Sequence, residues 1–527
     1  MKRRLHSYFI LVLFTMPVAI YAQKKNYDKE IKSLSKEMQR SLDNEDYLET
    51  WALSKKILRL KPMHETAGLN AAISASRLNY AHDSLHGLAD NLAASPLPDA
   101  KYFLARYKHK TKNLDEAIAL LNSYLKTQPK QRIANDSDVN YWIACCKNAK
   151  EFIAKPHTAV IKNMGPTINS PYDDYVPVIM PDESAMYFTS KRKGSTGNKK
   201  NGDNSYFEDI YLSANSESGW KKAENAGFPL NTNSNDACVA LSADGHRMII
   251  YRTSPSDPAS GDLYITKLGE HGHWETPKLI GTEINSEFIE TSACFSNDTS
   301  ELYFSSNRPE GLGGKDIYRI RHLPNGRWAA PFNLGPNINT PYDDDAPFLH
   351  PDGVTLYFSS KGHNSMGEYD VFRSRLTPET NNFSKAENLG YPINDVGNDI
   401  FFVVSVDGQR GYYTSNKKET LGGADIYQID TRFGENDLVV RQCYAYLGST
   451  PARVQITLSD IHTNEIVGTY ASNPKTGKFI LVLNPLKPYH IMLEEDGYKT
   501  IEEDLDPLVK EKDDKPKRYI LLKNGPQ

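Results

Sequence analysis

The sequence predicts a multidomain protein that combines a helical N-terminal domain, a five-bladed β-propeller and a C-terminal β-sandwich. Five copies of one unit fill residues 157–430, and each copy contains short runs typical of β-strands. The segment before them has apolar residues at helical spacing, and the segment after them alternates apolar and polar residues. Repeats of about 54 residues with four strands each are typical of propeller blades.

The N-terminus predicts export. Residues 2–4 are basic, residues 8–20 form a short apolar core, and Ala22 is a small residue before an expected cleavage site at Gln23. We therefore expect a signal peptide over residues 1–22. No Cys stands near this junction, so we expect no lipid anchor and only indirect association with a membrane, through partners.

Residues 23–155 predict a helical domain. Apolar residues recur at helical spacing over residues 51–60 and 117–125, and a proline follows each run. We expect paired antiparallel helices. Residues 102–129 resemble a tetratricopeptide repeat, which implies a TPR-like domain. Two roles remain open for it, a peptide-binding groove and a helical spacer.

The central repeats, assigned to residues 156–436, keep their register. Each copy opens with an apolar residue and an Asn, and an acid follows five residues after that Asn. An Asp stands thirteen residues after the Asn, at an expected hairpin turn. The opening asparagines are Asn169, Asn231, Asn285, Asn339 and Asn394. The acids that follow are Asp174, Asp236, Glu290, Asp344 and Asp399.

The register also predicts how the ring closes. Residues 157–164 carry the sequence of a fourth strand before any first strand exists, while the fifth copy lacks its own fourth strand after Tyr427. The early strand is therefore expected to complete the last blade and to remove the open sheet edges.

The acids of the repeats are the candidate site. The link from an outermost strand to the next innermost strand crosses one face of a propeller, so these acids should lie near the channel mouth. They would either hold a cation or a basic partner segment, or accept hydrogen bonds from loop amides. We favour the second interpretation, under which Asp344→Asn should cost about 1–2 kcal/mol of stability.

Residues 437–527 predict a small β-sandwich. Residues 452–458 alternate apolar and polar side chains, and residues 476–479 form a turn into the apolar run 480–483. The five cysteines of the whole chain are odd in number and show no metal-binding spacing, so we expect them to be buried apolar residues.

Composition and motifs narrow the function. Lys and Arg number 62 against 66 Asp and Glu, a net charge of -4, which argues against nucleic-acid binding. No G-x-S-x-G or H-E-x-x-H motif occurs, and the glycine-rich segments 311–314 and 421–423 precede strands where a phosphate-binding loop would precede a helix. We expect no catalytic residue, no cofactor and no resident metal.

Two segments of the repeats, residues 306–318 and 351–360, resemble the WD40-like (PD40) propeller repeat of TolB-type and Bacteroidetes envelope proteins. Residues 437–527 resemble the carboxypeptidase regulatory-like domain, which implies an Ig-like sandwich. The order of the three domains resembles the PorE family of periplasmic type IX secretion components, in which an OmpA-like domain follows.

This resemblance implies a non-catalytic adaptor of the periplasm, associated with the outer membrane and bound to envelope proteins or secretion components. The sequence has no OmpA-like domain, so we do not expect this chain itself to bind peptidoglycan. The alternatives are an exported propeller lyase or glycosidase acting on polysaccharide, and a module that binds glycans or ions.

Overall fold

The computed structural model describes residues 27–78, 87–201, 205–216, 218–255, 257–269, 272–377, 379–433, 438–508 and 516–524. The predicted signal peptide at residues 1–22 lies outside them. The chain divides into two compact units, Met1–Cys146 and Lys147–Gln527, and the division falls within a helix. Among the described residues, no helix is both long enough and apolar enough to cross a membrane.

The first unit is helical, as predicted. An N-cap begins its second helix, because the Asp46 carboxylate accepts the backbone N–H of Glu49 at 3.0 Å. Neighbouring helices pack in pairs, α2 on α3 and α5 on α6. The helices are α1 (27–43), α2 (Tyr47–Leu60), α3 (Glu65–Arg77), α4 (Ala89–Ala94), α5 (Pro98–Lys110), α6 (Leu114–Leu125) and α7 (Asp136–Ile153), the last of which continues into the second unit.

Five antiparallel sheets form the centre of the second unit, and we call them blades one to five in chain order. Blade one contains β2 (Asp174–Ile179), β3 (Ala185–Ser190), β4 (Asp209–Ser216), β5 (Gly219–Trp220) and β6 (Glu224–Asn225). Blade two contains β7 (Asp236–Leu241), β8 (Arg247–Ser254), β9 (Asp257–Lys267) and β10 (Lys278–Leu279). Blade three contains β11 (Ala293–Phe295), β12 (Glu301–Ser306), β13 (Asp316–Arg321) and β14 (Phe332–Asn333). Blade four contains β15 (Asp344–Leu349), β16 (Thr355–Ser360), β17 (Asp370–Thr377), β18 (Asn382–Phe383) and β19 (Glu387–Asn388). Blade five contains β20 (Asp399–Val404), β21 (Arg410–Ser415), β22 (Asp425–Asp430) and the early strand β1 (Val160–Asn163).

The blades close into a ring. Their innermost strands, β2, β7, β11, β15 and β20, contact one another in this order, and β20 contacts β2 again. Apolar side chains fill the spaces between neighbouring sheets, and one buried cluster joins Ile249 of blade two, Phe304 of blade three and Phe358 of blade four. The central domain is therefore a five-bladed β-propeller.

The predicted closure of the ring is confirmed. Strand β1 pairs antiparallel with β22, from Val160 opposite Asp430 to Asn163 opposite Tyr427. Blade five thus takes its outermost strand from the start of the domain and its other three strands from the end. A sheet edge that would otherwise present unpaired N–H and C=O groups is covered.

The outermost strands are shorter than the sequence suggests. In blades one and four they break into two pieces between the aromatic residue and the Asn that follows it. At the break the Ala223 N–H donates to Thr167 O at 3.0 Å and the Ala386 N–H to Asn337 O at 3.1 Å. These amides bond to the chain that links consecutive blades, so they are not available to the third strand.

The C-terminal segment forms two four-stranded sheets around one buried core that includes Val454, Ile456, Leu481 and Leu493. This two-sheet arrangement agrees with the predicted sandwich, while its Ig-like character stays a prediction. One sheet contains β23 (Val439–Leu447), β24 (Thr450–Pro451), β27 (Lys478–Leu483) and β30 (Lys517–Leu521). The other contains β25 (Gln455–Asp460), β26 (Ile466–Ala471), β28 (Tyr489–Glu494) and β29 (Ile501–Leu505). All five cysteines are buried, as predicted.

Candidate functional site

The five acids of the predicted ring lie at the start of the innermost strands, or just before it in blade three. All of them are buried, with at most 2% of the residue exposed. They therefore do not present carboxylates to solvent. A ligand ring at the channel mouth stays a prediction, and among the described residues no group of three or more His, Cys, Asp or Glu side chains is arranged to hold a metal ion.

Each acid caps the loop that precedes it. The backbone N–H four residues earlier donates to the carboxylate in every blade, for example from Thr232 to Asp236 at 2.6 Å and from Ser286 to Glu290 at 3.1 Å. In blades one to four a Ser or Thr hydroxyl of that same residue donates as well. The other three amide bonds reach Asp174, Asp344 and Asp399 at 2.5 to 2.7 Å. Charge-assisted bonds of this kind hold the opening turn of each blade.

A cation accompanies the acid in four blades. Arg192 pairs with Asp174, Arg252 with Asp236, Arg308 with Glu290 and Lys417 with Asp399. Each of these side chains also donates to the carbonyl of the apolar residue before the opening Asn, as Arg308 does to Ile284 O at 3.3 Å. The cation therefore ties the acid and the interblade link together.

In blade four, no cation among the described residues pairs with the acid Asp344. Gly362 occupies the position that the basic residue has in blades one, three and five, and a Cβ there would stand 2.2 Å from Thr340 Oγ1, so a side chain would clash with Thr340. The neighbouring His363 contacts Ile338 O at 2.9 Å. Burial lowers the pKa of His363 and raises the pKa of Asp344 to about 7. Asp344 Oδ1 is buried without a hydrogen-bond partner, and Asp316 nearby also raises the pKa of Asp344.

A second acid from the preceding blade faces each predicted acid, and sequence reasoning missed this pairing. In four blades this second acid is the Asp that begins the third strand, and in blade two it is an Asp within that strand. It lies close enough to the predicted acid of the next blade for the two carboxyl groups to repel each other when both are ionised. The pairs are Asp209 with Asp236, Asp262 with Glu290, Asp316 with Asp344, Asp370 with Asp399, and Asp425 with Asp174. Burial is the main cause that raises the pKa of Asp209, Asp370 and Asp425. The Asp-apolar-aromatic pattern, which recurs in the third strand of every blade, was the sequence signal that could have revealed these pairs of acids.

The opening Asn joins consecutive blades. Its side chain accepts the N–H and donates to the C=O of one residue in the third strand of the preceding blade, as Asn339 does with Ile317 at 2.8 and 3.0 Å. The same double bond links Asn231 to Ile210 and Asn394 to Val371. Asn169 makes it with Ile426 at 2.9 Å and so joins blade one to blade five.

The glycine-rich segments serve the same junctions. A Cβ on Gly313 would lie 2.3 Å from Thr340 O, and one on Gly422 would lie 2.2 Å from Tyr172 O. Both glycines let the loop after the second strand approach the opening loop of the next blade. These segments therefore have a packing role at the blade junctions.

The channel at the centre of the ring holds a cavity of about 280 Å³. Innermost strands of all five blades line it, mainly with apolar side chains such as Val178, Val239 and Phe348. Among its described lining residues, Glu208 is the one carboxylate. Lys191 lies 3.6 Å from Glu208, and burial together with Glu208 raises the pKa of Tyr175 well above its usual value.

Backbone strain marks the wall of this channel. Val176, Ala346 and Phe401 have φ values of 52°, 53° and 57°, in the left-handed region, at bulges in the innermost strands. A hydroxyl of a neighbouring blade accepts the N–H at two of them, Thr414 for Val176 at 3.1 Å and Ser292 for Ala346 at 3.0 Å. The left-handed conformation at these two bulges therefore accompanies a hydrogen bond to the neighbouring blade.

Comparisons with known proteins leave the family open. No family model matches the sequence, and no curated protein matches it. Among solved structures, an α-L-arabinofuranosidase from Lactobacillus brevis is similar at 13% identity and a TM-score of 0.35, over 51% of this chain and 92% of that one. An endo-arabinase from Bacteroides thetaiotaomicron shows 14% identity and a TM-score of 0.36, over 52% and 99%. A hypothetical protein from Leishmania major shows 16% identity and a TM-score of 0.33, over 55% and 95%.

Proposed function

We propose that this chain is a non-catalytic scaffold of the bacterial envelope, which is exported to the periplasm and held at the outer membrane by protein–protein contacts. Its partners are envelope proteins, among them the outer-membrane components of type IX secretion or of envelope assembly. The helical domain, the propeller and the sandwich supply the binding surfaces. Neither catalysis, a cofactor nor peptidoglycan binding by this chain is part of the proposal.

The composition of the channel is the observation that carries the proposal. A glycosidase needs two carboxylates on either side of the scissile bond, about 5 to 9.5 Å apart. The described lining of the channel offers Glu208 alone, among apolar side chains. Glu208 is moreover engaged with Lys191 and Tyr175. The rival function, hydrolysis or lyase cleavage of a polysaccharide, lacks its second acid here.

The use of the repeated acids supports the same proposal. Each is buried and bonded to a loop amide, and in four blades a cation neutralises it. Polar groups committed to interblade contacts are not available to a substrate. The repeated motif thus builds the propeller, and recognition is left to the outer surfaces of the domains.

In-cell crosslinking tests the proposal. The full-length chain with a C-terminal affinity tag is crosslinked in its host, purified from envelopes, and its bound proteins are identified by mass spectrometry. The same preparation is assayed for new reducing ends or unsaturated products on a panel of polysaccharides. The scaffold proposal predicts enriched outer-membrane proteins and no turnover.

The variant Glu208→Gln separates the two functions, because it removes the one carboxylate among the described residues of the channel lining and preserves the shape of the side chain. A scaffold retains its captured partners with this variant. Measurable cleavage by the wild type that Glu208→Gln abolishes, without enriched envelope proteins, would overturn the proposal in favour of an enzyme.

A further inference from the structure

The cavity in the propeller channel extends along the innermost strands. In blade one every residue from 175 to 181 lines it, and in blade two every residue from 237 to 243 does so. At about 3.3 Å for each strand residue, such a stretch is about 20 Å long. A volume of about 280 Å³ spread over this length leaves a narrow space, which all five blades surround. The cavity therefore has the shape of an elongated tube.

The wall of this tube contains apolar side chains that are only partly buried. Ile179, Val239, Phe348 and Val403, from four different blades, belong to its lining and keep part of their surface exposed. Covering such a surface with an apolar group is favourable, because it removes the surface from water. An apolar protein cavity of about 150 Å³ is large enough to bind benzene. The channel thus has room for a longer apolar group.

The polar side chains of the lining already have partners. Asn297, for example, donates to Pro351 O at 2.6 Å. The Ser, Thr and Asn side chains that are hydrogen-bonded within the protein in this way are Ser242, Thr291, Ser292, Asn297 and Ser405. A sugar enclosed here would leave many of its hydroxyl groups without a partner, which costs binding energy. A hydrocarbon chain has no such groups, so this lining favours it.

We propose that the channel binds one unbranched alkyl chain, such as the acyl chain of a free fatty acid or of an ester lipid. The chain lies along the axis of the ring. Its polar end lies at the mouth formed by Pro181 and Val406, where the described lining has no charged side chain. At the opposite end Glu208 would repel a carboxylate. This site takes a small molecule inside the ring and is independent of the envelope partners proposed above.

Isothermal titration calorimetry with the full-length chain tests the site. The probes are hexanoate, octanoate and decanoate, all below the concentrations at which they form micelles, and monodecanoyl glycerol as the ester source. We expect saturable binding at one site per chain. Each added methylene should tighten binding about fourfold, so that octanoate binds about 15-fold more tightly than hexanoate. Binding of the ester without binding of decanoate would identify an ester lipid as the source of the chain.

A matched pair of variants locates the binding. Val239→Phe places a ring in the channel and should weaken decanoate, or the ester if it alone binds, at least about tenfold. Leu279→Phe adds the same ring on the outermost strand of the same blade, where Leu279 is 52% exposed, and should leave binding unchanged. Melting curves check that both variants fold, and Ile179→Phe replaces Val239→Phe if that variant does not.

Three results would overturn the proposal. The first is that neither the alkanoates nor the ester bind. The second is an affinity that does not rise with chain length, because burial of the chain in an apolar channel requires that rise. The third is an equal loss of binding in the channel variant and in Leu279→Phe, which would place the ligand outside the channel.

Discussion

Blades three and four place an acid on the same loop, yet they compensate its charge differently. In blade three Glu290 accepts a loop amide and a hydroxyl and pairs with Arg308 at 3.3 Å. In blade four Asp344 accepts the equivalent amide and hydroxyl, but Gly362 excludes a basic side chain. Both blades keep the hydrogen bond from the loop amide to the acid, whereas only blade three has a cation beside it. The role that the two blades share is therefore that the acid holds the opening loop of its blade.

The two blades differ in what lies beside the buried acid. In blade three the Arg308 side chain, which is 11% exposed, lies 3.3 Å from the Glu290 carboxylate. Without a cation, burial raises the pKa of Asp344 to about 7, and Asp316 opposes ionisation further. Blade three relies on an ion pair, whereas blade four relies on a carboxyl that holds its proton near neutral pH.

Removing the cation from blade three should have the largest effect. Arg308→Met preserves much of the packing but leaves Glu290, which is 2% exposed, without its counter-charge. Breaking a buried pair in this way costs about 3 kcal/mol. Urea denaturation measures the loss, and Arg327→Met, an exposed arginine in a turn of the same blade, is the control that should behave as the wild type. A change below about 0.5 kcal/mol for Arg308→Met would show that the amide bonds alone carry the junction.

The pH dependence of blade four should follow Asp344. The folded pKa of Asp344, about 7, lies above the ordinary aspartate value of 3.8, so its contribution to stability is fully present below the unfolded value and is lost as pH rises through 7. Between pH 5 and 7, the stability of the wild type relative to Asp344→Asn should increase by about 1.4 kcal/mol for each unit that pH falls. Subtracting the stability of Asp344→Asn from that of the wild type cancels the contributions of all other titrating groups. Among these are His246 and His363, whose lowered pKa values make the protein less stable as pH falls. A flat difference across this range would mean that Asp344 is ionised throughout.

Much of the fold followed from the sequence, because the repeats align residue by residue. The position of residues 157–164 relative to Asn169 predicted that β1 completes blade five, and the pairing of β1 with β22 confirms it. Hairpin turns such as Pro351-Asp352-Gly353 were predictable from local turn chemistry, and Asp352 accepts the N–H groups of Val354 and Thr355. These features depend on neighbours in sequence or on strict periodicity.

The interior of the blade junctions could not be predicted in the same way. The pairing of Asp316 with Asp344 joins residues of two blades, and the sequence pattern treats each blade separately. The absence of a cation beside Asp344 depends on the approach of Thr340 to Gly362, which is a property of packing. The initial expectation of a cost of about 1–2 kcal/mol for Asp344→Asn assumed an ionised acid. With a pKa of about 7, we now expect less than about 1 kcal/mol at pH 7.

The central claim is that the repeated acids hold the blades together and do not form a ligand site. Thermal unfolding of the wild type and of Asp344→Asn, with and without millimolar calcium, combined with partner capture from envelopes, tests it most directly. We predict that calcium changes the melting temperature of neither protein, that Asp344→Asn melts within a few degrees of the wild type, and that it retains its partners. The claim would be contradicted by a calcium-dependent rise in the wild type that Asp344→Asn abolishes, or by loss of a partner from a variant that is otherwise as stable.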